Sequence, residues 1–200
     1  MVSTSFKPVV ARFIEPIARL GYRAGITPDM VTLFGAIGAS ASALYLLING
    51  ELFWASIAVT IFALSDLFDG AIARISDKGA TQWGAFLDST CDRVTDAAIL
   101  MGLALYLIER DDRLVPVVLG CILFGSLIPY IRAKAESYKI SCSVGVAERT
   151  ERLIIVLVAI GFDGLGLPFI LSVGLWLLLA LSAITVMQRI FVLRKGLLSR

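Results

Sequence analysis

Apolar residues in this chain gather into six long stretches separated by short polar breaks. They run roughly over 29–48, 52–75, 84–108, 114–138, 153–162 (with a polar lead-in from 147) and 168–193. A helix needs about 20 mostly apolar residues to cross a bilayer, so the pattern predicts six transmembrane helices. Thr27 and Pro28 suit the N-cap and first turn of the first one. Its small residues from Gly35 to Ala43 suit close helix contact. The fifth stretch reaches spanning length only if its polar lead-in joins the same helix. Before them, Val9, Val10, Phe13, Ile14, Ile17 and Leu20 recur near helical spacing among Lys7, Arg12, Glu15, Arg19 and Arg23. That is an amphipathic helix lying on the membrane surface; the other reading is a solvated basic tail. The expected fold is all-α: a juxtamembrane helix over 1–26, then a six-helix transmembrane domain over 27–200.

Composition agrees. Hydrophobic residues make up 58% of the 200 and charged ones 17%, with mean hydropathy +0.87. Soluble domains hold about 45–50% apolar and about 25% charged residues. A net charge of +2 does not suggest nucleic acid. Of the 18 Lys and Arg, all but Arg110 and Arg113 fall on one side of the predicted topology. That side is cytoplasmic by the positive-inside rule, which makes this a multi-pass cell-membrane protein with both termini inside. The N-terminal charges recur too often for the apolar core of a cleavable leader. No histidine is present, so a general base must be a carboxylate, a lysine or a tyrosine. Cys91, Cys121 and Cys142 form no CxxC pair and suggest no redox role.

Charge inside the spans carries the chemistry. Asp66 and Asp69 lie three apart near the end of the second span; Asp88 and Asp92 lie four apart near the start of the third. Each pair shares a helix face. The connection through Gly79 is short, so the two helices should be antiparallel neighbours with their carboxylates at one depth. Four such acids repel one another unless cations neutralise them. All-oxygen donors favour Mg²⁺ or Mn²⁺ over zinc, and four carboxylates suit two ions. Gly70 and Gly84 leave room for a bulky anion, and Arg74 can grip a phosphate with its fork. Together these describe a pyrophosphate site. Interhelical salt bridges to Arg74 or Arg93, or the acidic lining of a cation transporter, are the other readings. For Asp96, one turn beyond Asp92, helix packing or support of another side chain is favoured over direct ligation.

The run Asp66-x2-Asp69-Gly70-x2-Ala73-Arg74-x9-Gly84-x3-Asp88-x3-Asp92 resembles the motif of the CDP-alcohol phosphatidyltransferases at all eight fixed positions over 27 residues. Its nine-residue spacer is one longer than the eight expected. The resemblance implies a six-helix bundle, usually a homodimer, acting on CDP-diacylglycerol among membrane lipids. It also implies that Asp66, Asp69 and Asp88 bind the metals, and that Asp92 touches a metal and is the catalytic base. By the same resemblance, CDP-diacylglycerol contacts come from Asp66, Asp69, Gly70, Ala73, Arg74, Thr81, Gly84 and Asp88. The segment Asp29, Met30, Val31 and Thr32 adds to them. The acceptor hydroxyl would attack the β-phosphorus and release CMP.

A phosphorylated acceptor needs further cations. Lys134, Arg149, Arg152 and Arg189 can converge at the cytoplasmic ends of the last spans as an acceptor-phosphate pocket. The positive-inside bias alone also supplies basic loops. Ile131-Arg132-Ala133-Lys134-Ala135-Glu136 and Ala147-Glu148-Arg149-Thr150-Glu151-Arg152-Leu153-Ile154-Ile155 are similar to the bacterial phosphatidylinositol phosphate synthases, as is Asp88-Ser89-Thr90-Cys91-Asp92-Arg93. That likeness implies inositol phosphate as acceptor; glycerol 3-phosphate is the alternative.

Overall fold

Thr27 accepts a hydrogen bond from the Met30 amide (3.3 Å) and so caps helix α2, Pro28–Ile48, with Pro28 in its first turn, where a missing N–H costs nothing. In this computed structural model, residues 15–76, 79 and 81–199 are described, and every regular element among them is a helix. A first helix, α1, covers residues 15–23. The part of the surface helix assigned to 1–14, with Lys7, Val9, Val10, Arg12, Phe13 and Ile14, lies outside the described residues, as does Lys78. After α2 come α3 (Leu52–Ala63), α4 (Ser65–Ile75), α5 (Gln82–Ile108), α6 (Val115–Ser137), α7 (Arg149–Gly164) and α8 (Ile170–Leu198).

The second apolar stretch runs from Leu52 to Ile75 as the pattern predicts, carried by α3 and α4 in succession. At Leu64 the chain keeps right-handed dihedrals (φ −66°, ψ −15°), with the Leu64 amide on the Thr60 carbonyl at 3.1 Å and the Leu67 amide on the Leu64 carbonyl at 3.1 Å in a tighter turn. The lead-in to the fifth stretch does join its helix, because α7 starts at Arg149.

Among the described residues, four stretches are long and apolar enough to cross a membrane: α2, α3 with α4, α6 and α8. The other two differ for clear reasons. α5 has the length, 27 residues, but carries Asp88, Asp92, Arg93 and Asp96 between its first turns and just past its middle. α7 has only 16 residues, about 24 Å of helix against a hydrocarbon core of about 30 Å. Apolar side chains also face outward, among them Phe34 (69% exposed) and Phe191 (67%). Such surface is stable only when lipid or another apolar partner covers it.

Two compact units divide the chain: one is 1–42 with 58–95, the other 43–57 with 96–200. In the first, Ala18 of α1 packs on Ala71 and Ile72 of α4, with Tyr22, Val31 and Ile75 around them. Gly38 lets α2 lie against the Phe62 ring of α3, where a Cβ would collide. In the second, α8 packs along both α6 and α7. Val118, Ile160 and Leu175 are fully buried there. The loop from α6 to α7 is tied down on α8: Thr185 accepts from the Ala147 amide at 3.1 Å, and Arg189 donates to the Val144 carbonyl at 2.9 Å and to the Ile128 carbonyl of α6 at 2.7 Å.

Gly174 of α8 leaves no space for a Cβ, which would run into the Cβ of Ala159 on α7. Inside a helix, Gly→Ala normally stabilises by about 0.5–1 kcal/mol. Here overpacking of about 1–3 kcal/mol outweighs that gain. Gly174→Ala is therefore expected to lower the apparent unfolding temperature in detergent, and a rise would show that α7 and α8 are not in this contact.

Candidate active site

α4 and α5 place the acids. Asp66 and Asp69 stand on one face of α4 and Asp88 on α5, with ligand oxygens all within 4.8 Å of one another. Two unit charges about 4 Å apart near a protein surface interact by about 4 kcal/mol, so three such groups strongly favour a cation among them. Their donors are oxygens only, and the spacing lets one hard divalent ion touch all three. The cluster can hold a metal ion.

Asp69 is the most enclosed of the three, at 9% exposure. One of its oxygens accepts a 2.6 Å hydrogen bond from the Thr32 hydroxyl of α2. The Pro28 carbonyl lies 3.1 Å from the same hydroxyl. A single hydroxyl proton cannot fully serve both, and the shorter, charged partner takes it. Thr32 thus fixes the orientation of the Asp69 carboxylate.

A second grouping lies at the start of α5. Thr81 accepts from the Gly84 amide at 2.9 Å and caps the helix, so its hydroxyl has a structural use that the motif did not suggest. A Cβ on Gly84 would lie 3.1 Å from that hydroxyl and 3.4 Å from the Asp29 carboxylate. The glycine therefore keeps a gap between Thr81 and Asp29. Gly70 has the Arg74 guanidinium beside it, 3.5 Å from where a Cβ would stand. Ala73 is half-buried on α4 next to Arg74. Met30 is exposed, and Val31 packs with the Ala71 and Ile72 cluster, a use for its side chain other than ligand contact. Asp92 is one turn along α5 from Asp88 and outside the group of three; its carboxylate pairs with Arg93 at 3.4 Å.

Of the basic residues, Arg149 and Arg152 are brought together. Asp96 takes Arg149 on one oxygen at 3.4 Å and Arg152 on the other at 3.3 Å. Arg189 is 3% exposed, with two donors spent on backbone carbonyls. Lys134 stands exposed at the end of α6, 5.1 Å from the Tyr138 ring centroid. The double pairing of Asp96 was not foreseen; its only trace in the sequence is an acid one turn beyond Asp92 with two arginines three apart downstream.

Residues 25–194 match the model of the CDP-alcohol phosphatidyltransferase family. The chain belongs to this family. Membership makes it an enzyme and sets aside the transporter reading of the aspartates. It is 39% identical to the phosphatidylinositol phosphate synthase of Streptomyces avermitilis, over 98% of this chain and 83% of the relative. It is 44% identical to that of Mycobacterium tuberculosis, over 90% and 85%. The crystal structure of the M. tuberculosis synthase with CDP-DAG bound superposes with TM-score 0.87 at 42% identity, covering 91% of this chain and 94% of that one. The same synthase in complex with manganese and citrate gives TM-score 0.85 at 41% identity, over 90% and 88%.

Groups that hydrogen-bond metal-ligating carboxylates typically contribute about 10–100-fold to metal affinity or activity. Thr32→Val keeps the shape and removes the donor to Asp69. Manganese binding, titrated by electron paramagnetic resonance, is expected to weaken at least about tenfold. An unchanged dissociation constant would remove Thr32 from this role.

Proposed function

We propose that the protein transfers the phosphatidyl group of CDP-diacylglycerol to an inositol phosphate, giving phosphatidylinositol phosphate and CMP. The observation that carries this reading is the convergence of Asp66, Asp69 and Asp88 beside Gly70, Arg74 and Gly84 in a chain about 40% identical to synthases of that name.

Asp66, Asp69 and Asp88 would hold divalent ions, two Mg²⁺ or Mn²⁺ when Asp92 joins them. Bound there, the ions would neutralise negative charge on the pyrophosphate as the leaving phosphate gains it. Arg74 takes the pyrophosphate through its guanidinium. The gap at Gly84, between Asp29 and Thr81, admits the nucleotide part; Gly70 and Ala73 let it lie close to α4. Asp92 accepts the proton of the acceptor hydroxyl, whose oxygen bonds to the β-phosphorus. The bond from that phosphorus to the bridging oxygen breaks, and CMP carries the electron pair away. Arg149, Arg152, Arg189 and Lys134 bind the acceptor's phosphate. α5 and α7 complete a set of six spans: α5's charged half serves the site, and α7's short helix is extended by its flanking chain. The N-terminal helix lies on the inner face of the cell membrane, the site opens to the cytoplasm, and the working unit is a homodimer, as is usual in the family.

Purified protein in detergent, supplied with CDP-diacylglycerol and Mg²⁺, is expected to release CMP only when an acceptor is added. Inositol phosphate should support turnover well above glycerol 3-phosphate or free inositol. Equal or faster release with glycerol 3-phosphate would overturn the acceptor assignment.

Asp92→Asn keeps size and removes the basic oxygen. General-base catalysis contributes about 10²–10⁴-fold, so kcat should fall by at least about 100-fold while CDP-lipid binding stays within a few-fold. Undiminished turnover would take the base role from Asp92.

A further inference from the structure

Arg149 opens α7 and Arg152 follows three residues later, so the two guanidiniums stand on one helix face. Like charges on one face repel, and the positive end of the helix dipole lies at the same place. Left to themselves they would splay apart. The carboxylate of Asp96 on α5 prevents this. Its Oδ1 is 3.4 Å from Arg149 Nε and its Oδ2 is 3.3 Å from Arg152 Nη2. The three side chains are 26%, 11% and 25% exposed for Arg149, Arg152 and Asp96, so solvent does not fully screen the pairing. Arg152 is held from a further side, donating through Nη1 to the Ala147 carbonyl at 3.4 Å. A guanidinium has five N–H donors, so a link to one carboxylate oxygen does not exhaust it.

We propose that Asp96 is a positioning residue for the acceptor, holding Arg149 and Arg152 side by side in the arrangement that receives the acceptor's phosphate. The proposal rests on the reading above that these arginines bind that phosphate. Asp96 does not touch the reacting atoms; it sets the geometry and spacing of the charges that do the binding.

Asp96→Asn tests it. The amide keeps the shape, but its nitrogen would turn a donor toward one guanidinium, which loses its hold on that arginine and removes the charge that draws the two together. The expected result is a KM for inositol phosphate raised about tenfold, the size of a lost charge-assisted hydrogen bond, with kcat and the CDP-diacylglycerol KM changed by less than about twofold. Asp96→Glu should fall between wild type and Asp96→Asn. On an Arg152→Ala background, Asp96→Asn should add little, because the two act as one unit. An unchanged acceptor KM, or an equal rise in the donor KM, would return Asp96 to helix packing. Should the asparagine variant not fold, Asp96→Glu decides: a raised acceptor KM with an unchanged donor KM supports positioning, and any other pattern overturns it. The Arg152→Ala single variant separates the two levels. If it leaves the acceptor KM unchanged, the acceptor-site reading itself is wrong. If it raises that KM while Asp96→Asn does not, only the positioning role is lost.

Discussion

Mutual repulsion among Asp66, Asp69 and Asp88 is the constraint on which the first unit depends. Ligand oxygens within 4.8 Å of one another on two helices are a standing cost unless positive charge joins them. The surroundings make sense as a frame built to hold that unfavourable group. Thr32 reaches across from α2 to fix one carboxylate, and α1 packs on α4 through Ala18. Cations bound among these oxygens would relieve the repulsion, which gives acids on membrane helices a use in place of a folding defect.

The second unit solves the inverse problem. Positive groups crowd at the start of α7, and an acid on another helix, Asp96, pairs with two of them at once. Arg189 shows that a charged side chain can serve packing as well: it is almost fully buried and knits the connecting loop to α6 and α8 through backbone carbonyls on Nε and Nη1. A guanidinium can do this because its planar fork donates in several directions at once.

Much of the fold was legible because helical periodicity and capping are local. Thr27 with Pro28 marked the start of α2, and the i, i+3 and i, i+4 spacing of the aspartates placed each pair on one face. The tighter turn at Leu64 was not legible, since apolar residues continue through it. The hydroxyl of Thr32 and the carboxylate of Asp96 were not legible as partners of Asp69 and the arginines, because those pairings are 37, 53 and 56 residues apart in the chain. Thr81 and Val31 have local structural uses that the motif did not suggest, as a helix cap and as part of an apolar cluster.

The run Leu52–Ile75 has a consequence for how the enzyme sits in lipid. Its backbone stays right-handed through Leu64, whose amide bonds the Thr60 carbonyl at 3.1 Å, so α4 carries on from α3. Thr32 ties Asp69 to α2, and Ser65 sits close against Gly35 of the same helix. A bilayer that thickens or thins acts on a helix through its hydrophobic length. The Asp69 carboxylate is registered against a neighbouring helix as well as its own, which suits a catalyst whose own product alters the composition of the membrane around it.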